Sequence, residues 1–127
     1  MRNYQKTKNN PYWLPHNVYM QALYMVRDYR RLREARRDVL YAAPEPGPRV
    51  QSGPGDPTAR KAAMMESVSE RIYAIEGALS SIPAEYRNGV MEHINGGGAD
   101  LTRASESTWR RYRARLLYYA AQNMKWI

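Results

Sequence analysis

Residues 65–82 read MESVSERIYAIEGALSSI, and the spacing of their apolar members decides the fold. Met65, Val68, Ile72, Ile75, Leu79 and Ile82 step by 3, 4, 3, 4 and 3, the repeat of a stripe along one helix packed against another. A strand would alternate every second residue, and no segment of the chain does so convincingly. The stripe predicts a helix over about 57–81, started by Asp56-Pro57: the carboxylate can cap, and proline suits the first helical position. Such a seam makes a core when it is satisfied within one chain. The same spacing could join two copies, so Met65, Val68, Ile72, Ile75 and Leu79 are also candidate homodimer residues.

Upstream, residues 44–58 (PEPGPRVQSGPGDPT) hold five Pro and three Gly, which neither helix nor strand propagates through. A loop is expected over 44–56. Before it, Leu14-Pro15 opens a second helical pattern carried by Val18, Ala22, Val26, Tyr29, Val39 and Leu40, predicting one helix over about 15–42. The two would pack as a long antiparallel helical hairpin over 14–82. Residues 1–13 (MRNYQKTKNNPYW) are polar, basic and aperiodic, the pattern of a flexible arm. Downstream, Pro83 begins a short helix to about Asn95 with Tyr86, Val90, Met91 and Ile94 on its apolar face, and Gly96-Gly97-Gly98 stops it. A last helix is expected over about 105–124, capped by Ser105 and burying Trp109, Tyr112, Leu116 and Tyr119. The predicted fold is all-α.

Twenty Lys and Arg stand against twelve Asp and Glu, a net charge of +8. Sixteen of the twenty basic residues are Arg, whose planar fork grips phosphate bidentately and stacks on bases, so the excess favours nucleic acid, double-stranded DNA being the expected form, with an anionic membrane as the rival partner. The excess is bipolar: nine basic and three acidic residues lie in 1–43, four and five in 44–82, seven and four in 83–127. No apolar run approaches a membrane span, and no signal peptide is recognisable; an intracellular, cytoplasmic location is expected. The absence of Cys excludes disulfides, thiolate zinc sites and cysteine nucleophiles.

Two arginine clusters stand out. In the last helix, the helical period that turns Trp109 and Leu116 inward sends Glu106, Ser107, Arg110, Arg111 and Ala114 outward. Ser, Glu and Arg at the N-terminal end of a recognition helix can read base edges in a major groove, and a solvated surface helix fits the same pattern. In this reading Glu106, Ser107, Arg110 and Arg111 approach bases, Arg103, Arg113 and Arg115 anchor phosphates, and Thr108 belongs to the DNA-binding set with them. The other cluster, DYRRLREARRD at 28–38 with Arg27 before it, holds six Arg in the eleven positions 27–37. Arg27, Arg30, Arg31 and Arg37 share roughly one side and Arg33 and Arg36 another. With Asp28, Glu34 and Asp38 able to pair locally, the run reads as a solvated face or as sequence-independent phosphate contacts.

The segment IPAEYRNGV at 82–90, the helix after it and SESTWRRY at 105–112 resemble the closing helices of a sigma factor's region-four domain. More broadly, residues 14–124 resemble the RinA-type regulators of late genes in phages of Gram-positive bacteria. The shared features are Leu14-Pro15 ahead of the Arg-rich run, the Pro/Gly loop ending in Gly55-Asp56-Pro57-Thr58, the IPAEYRNGV segment, and Ser107-Thr108-Trp109-Arg110-Arg111 leading to Leu117-Tyr118-Tyr119-Ala120. The resemblance implies a sequence-specific activator acting with host RNA polymerase. Sigma-like domains place a full helix between the glycine stop and the capping serine, whereas Gly98 and Ser105 enclose only ADLTRA; the helix-turn-helix is therefore expected in truncated form.

A DNA-packaging protein resembling a small terminase subunit, and a helical adaptor for an acidic protein, are the alternatives. No enzyme is expected. His16 and His93 belong to no metal-binding or triad spacing and read as surface histidines, and the triple glycine lacks the Lys-Ser/Thr of a phosphate loop. No catalytic residue, metal or cofactor is assigned.

Overall fold

In the computed structural model, which describes residue 5, residues 8–41 and residues 57–127, five helices follow one another: α1 (His16–Arg27), α2 (Tyr29–Tyr41), α3 (Pro57–Leu79), α4 (Ala84–Ile94) and α5 (Glu106–Asn123). The protein is all-helical, with no strand among the described residues. The loop expected over 44–56 and residues 1–4, 6 and 7 of the expected arm lie outside the described residues.

The apolar seam at 65–82 is built into the chain's own core. Val68, Ile72, Ile75 and Ile82 are buried, Met65 and Leu79 half-buried. Helix α3 packs on α2 along one side and on α5 along another, so it needs two apolar faces, and Ala74 and Ala78 join the heptad positions in the core. Small residues let α5 come close: Asn123 donates through Nδ2 to the Ala74 carbonyl at 3.0 Å, and a Cβ on Gly77 would sit 3.1 Å from that same nitrogen. The homodimer surface expected at Met65, Val68, Ile72, Ile75 and Leu79 is corrected accordingly. A single chain already covers Val68, Ile72 and Ile75, leaving little of the seam for a second copy.

The single helix expected over 15–42 is two helices broken at Asp28. Its amide bonds to the carbonyls of both Tyr24 and Met25 at 3.1 Å, and its backbone sits at φ −84°, ψ 1°. The break has a packing cause, because α1 lies on α5 and α4 whereas α2 turns away to lie on α3. The phase of the apolar stripe differs too. Tyr19, Leu23, Met25 and Leu32 are buried alongside Ala22 and Val26, while Leu40, expected in the core, is 61% exposed. At the break the Arg27 guanidinium donates through Nε to the last carbonyl of α4, Ile94 O, at 2.9 Å. A cation on orphan carbonyls at a helix C-terminus is favourable, and this contact separates Arg27 from the arginines of α2.

The part of the N-terminal arm that is described is docked. Gln5 accepts from the Leu14 amide at 2.7 Å and donates to the Leu14 carbonyl at 2.5 Å. Tyr12 sets its ring against those of Tyr118 and Tyr119, at centroid distances of 5.7 and 6.1 Å. The sequence predicts flexibility through residue 13; these contacts instead hold the C-terminal portion of the arm against the second half of α5. One core cluster draws side chains from α1 through α5.

Candidate nucleic-acid interface

The site is built on the turn that joins α4 to α5. Helix α4 ends at Ile94 with Gly96 at φ +85°, the left-handed conformation that glycine adopts without a Cβ penalty. The amides of Gly96 and Gly97 return to the carbonyls of His93 (3.2 Å) and Glu92 (2.8 Å), closing the helix end as a glycine stop does. One turn follows in place of a helix. The Asp100 carboxylate accepts the Thr102 amide and hydroxyl, and the Arg103 amide bonds to the Asp100 carbonyl at 3.2 Å. The Thr102 hydroxyl first, then its amide, hold the Asp100 carboxyl below the usual carboxylate range.

Ser105 starts α5 as expected, its Oγ accepting the Thr108 amide at 3.2 Å. The second half of the seating is aromatic. Trp109 is fully buried, and its indole N–H donates to the Asp100 carbonyl at 2.9 Å. The ring lies directly on Gly89 of α4: a Cβ there would come within 2.5 Å of the indole Cη2. Tyr86 meets Trp109 edge-on at 5.7 Å and stacks on Tyr112 at 5.2 Å. The Arg111 guanidinium in turn lies over the Tyr112 ring at 5.7 Å. A chain of rings thus runs from the buried indole to an exposed cation.

Of the residues singled out from sequence, Ser107, Arg110 and Arg111 are exposed along the first two turns of α5. Glu106 is half-buried and receives Arg110 Nε at 3.2 Å; with side-chain exposures of 67% for the arginine and 43% for the glutamate, this pair is weak and open to exchange for another anion. Arg103 is also exposed, paired to Asp100 at 3.5 Å and donating to the Glu85 carbonyl at 3.2 Å. Three expectations need correction. Thr108 is half-buried, its hydroxyl 2.9 Å from Ser105 Oγ in the cap, so it supports the helix start and does not face outward. Arg113, expected to anchor a phosphate, is half-buried and donates to the Tyr19 hydroxyl of α1 at 3.1 Å. Arg115 is half-buried too, and its buried Nε has no hydrogen-bond partner among the described residues. Position in the helix explains both: Arg113 lies on the side that packs on α1, and Arg115 lies towards the second half of α5.

His93, read as a surface residue, is mostly buried, whereas His16 is exposed. His93 Nε2 stands 3.4 Å from Glu106 Oε1, and its buried Nδ1 has no hydrogen-bond partner among the described residues. It links the end of α4 to the first residue of α5. No spacing rule marks it, because the contact joins residues thirteen apart across an irregular turn. Tyr86 is legible in the sequence as an apolar-face residue, but its part in holding Tyr112 and Arg111 is not.

Among the described residues no group of His, Cys, Asp or Glu is arranged to hold a metal ion, and no helix is long and apolar enough to cross a membrane. Compared with known proteins, the chain matches no family model, no curated protein and no solved structure.

Proposed function

We propose that the protein is a sequence-specific duplex DNA-binding regulator in which α4, the turn and α5 act as a truncated helix-turn-helix. The observation that carries the reading is the first two turns of α5, where Ser107, Arg110 and Arg111 are exposed on a helix whose opposite side is fixed by the buried Trp109. An α-helix fits the major groove, and Arg bidentate to guanine is the commonest specific contact there. Arg110 and Arg111 read bases, with Ser107 and Glu106 beside them; Arg103, at the edge of the turn, contacts phosphate. The resemblance to RinA-type regulators extends the proposal to activation of phage or prophage late genes together with host RNA polymerase. The proposal gives the α3 seam no part in pairing copies, because Val68, Ile72 and Ile75 are spent inside the chain.

The test begins with duplexes enriched by the protein from a random pool. Arg110→Ala with Arg111→Ala removes both exposed guanidinium groups of the reading face. The double variant is expected to weaken binding to the enriched duplex by about 1–3 kcal/mol for each bidentate arginine–base pair it removes, with less change on a scrambled duplex. Equal affinity of the variant and the parent for the enriched duplex at moderate salt overturns the proposal.

A further inference from the structure

The arginines of α2 lie outside the site described above, and their arrangement is specific. Leu32 is buried, and Ala35 and Val39 are half-buried on the side facing α3, while Arg30, Arg33 and Arg37 are exposed on the opposite side at i, i+3 and i+7, so that Arg33, expected beside Arg36, belongs with Arg30 and Arg37. Arg30, Arg33, Arg36 and Arg37 line one open concavity in which Glu34 is the single acid among the described lining residues. Two of these cations are held over rings: Arg33 over Tyr29 at 5.6 Å and Arg36 over Tyr73 of α3 at 5.8 Å. Glu34 is taken by Arg30 at 3.3 Å, in a pair with side-chain exposures of 92% for the arginine and 51% for the glutamate that solvent and competing anions weaken.

We propose that α2 lays its arginine stripe along the sugar-phosphate backbone of the same duplex whose groove α5 enters; this rests on the DNA-binding reading above. The position of the stripe supports it. Arg27, one residue before the break that starts α2, is bonded to the last carbonyl of α4, and His93 at the same end of α4 touches the first residue of α5. Both arginine-bearing helices therefore leave from the C-terminal end of α4. The span supports it as well: seven residues cover about 10 Å of helix axis, a length from which long guanidinium side chains reach successive phosphates of one strand. Three guanidinium groups thus match a short run of phosphates. An acidic protein fits less well, because protein interfaces centre on an apolar, charge-poor patch, whereas the middle of this stripe is charged and its exposed apolar residues, Leu40 and Tyr41, stand at its far end.

Phosphate contacts add affinity without sequence choice and are read by salt dependence. The experiment measures binding of the full chain to a mixed-sequence duplex over a salt series, for the parent, Arg33→Gln with Arg37→Gln, and Arg33→Lys with Arg37→Lys. In the glutamine variant the slope of log K against log salt is expected to fall in magnitude by about 1.8, at about 0.9 for each phosphate left without its arginine, on enriched and scrambled duplexes alike. The lysine variant keeps the parent slope, which separates removal of charge from disruption of the fold. A glutamine variant with the parent slope overturns the inference and leaves the α5 reading standing. The same result together with failure of that variant to bind polyglutamate, where the parent binds it, assigns the stripe to an acidic protein and equally overturns the inference. A parent chain that binds no duplex at low salt overturns the α5 reading first, and this inference with it.

Discussion

Helices α2 and α5 carry nine of the sixteen arginines between them, yet the protein holds the two sets in different ways. Helix α5 buries Trp109, Leu116, Leu117, Ala120 and Ala121, and is fixed at its start by a serine cap and an indole hydrogen bond. Helix α2 buries Leu32 alone, and its arginines are steadied by neighbouring rings and exposed acids. Seating determines what a cation can do. A side chain on a firmly packed helix is aimed to within a narrow cone and can discriminate between bases; one on a lightly packed helix supplies charge with little direction. The two clusters look alike in composition, and the difference in packing is what the proposal uses to give α5 the reading of bases and α2 the sequence-independent contacts.

The strongest way to break this contrast is to unseat α5. Trp109→Ala leaves a large cavity against Gly89 and Tyr86 and removes the indole hydrogen bond to the Asp100 carbonyl, so it should destabilise the fold by about 3–5 kcal/mol in denaturant unfolding. A destabilisation below about 1 kcal/mol would mean that the ring does not fix the helix, a value far from the range for large aromatic truncations. A smaller effect sharpens the comparison at the helix start. Ser105→Ala removes the acceptor of the Thr108 amide and should cost about 1 kcal/mol, read by the same unfolding curve. The smallest effect concerns the turn. Because the folded-state pKa of Asp100 is lowered, its contribution to stability is complete above the unfolded carboxylate value and disappears as pH falls through the lowered one. Stability should therefore decline as pH falls below the unfolded carboxylate value of about 4, and Asp100→Ala should flatten that decline; an identical profile in the variant would leave the turn's Thr102 contacts without a part in stability.

Much of this is legible from residue order. The 3-and-4 spacing of Val68, Ile72, Ile75 and Ile82, the glycines after α4 and the serine before α5 are local signals, and local geometry honours them. The outward set of α5 is legible in its first two turns, where Ser107, Arg110 and Arg111 are exposed. Glu106 and Ala114 of that set are half-buried, as are Arg113 and Arg115, the two expected to anchor phosphates further along, because which side of a helix is covered depends on neighbours distant in sequence: α1 covers Arg113 through Tyr19, ninety-four residues away. The break at Asp28 is hidden for a related reason. Nothing in YMVRDYRRL forbids a continuous helix, and the division arises because α1 and α2 have different packing partners. His93 escapes notice because an irregular turn, and no helical period, brings it to Glu106.

The claim on which the rest depends is that the first two turns of α5 meet the duplex. Amide and guanidinium resonances followed by NMR during titration with an enriched duplex test it directly. The largest shifts are expected on the amides of residues 105–111 and on the Nε–H groups of Arg110 and Arg111, with the amides of α3 nearly still. Shifts concentrated on α1 or α3, with those of Arg110 and Arg111 unmoved at saturation, would contradict it.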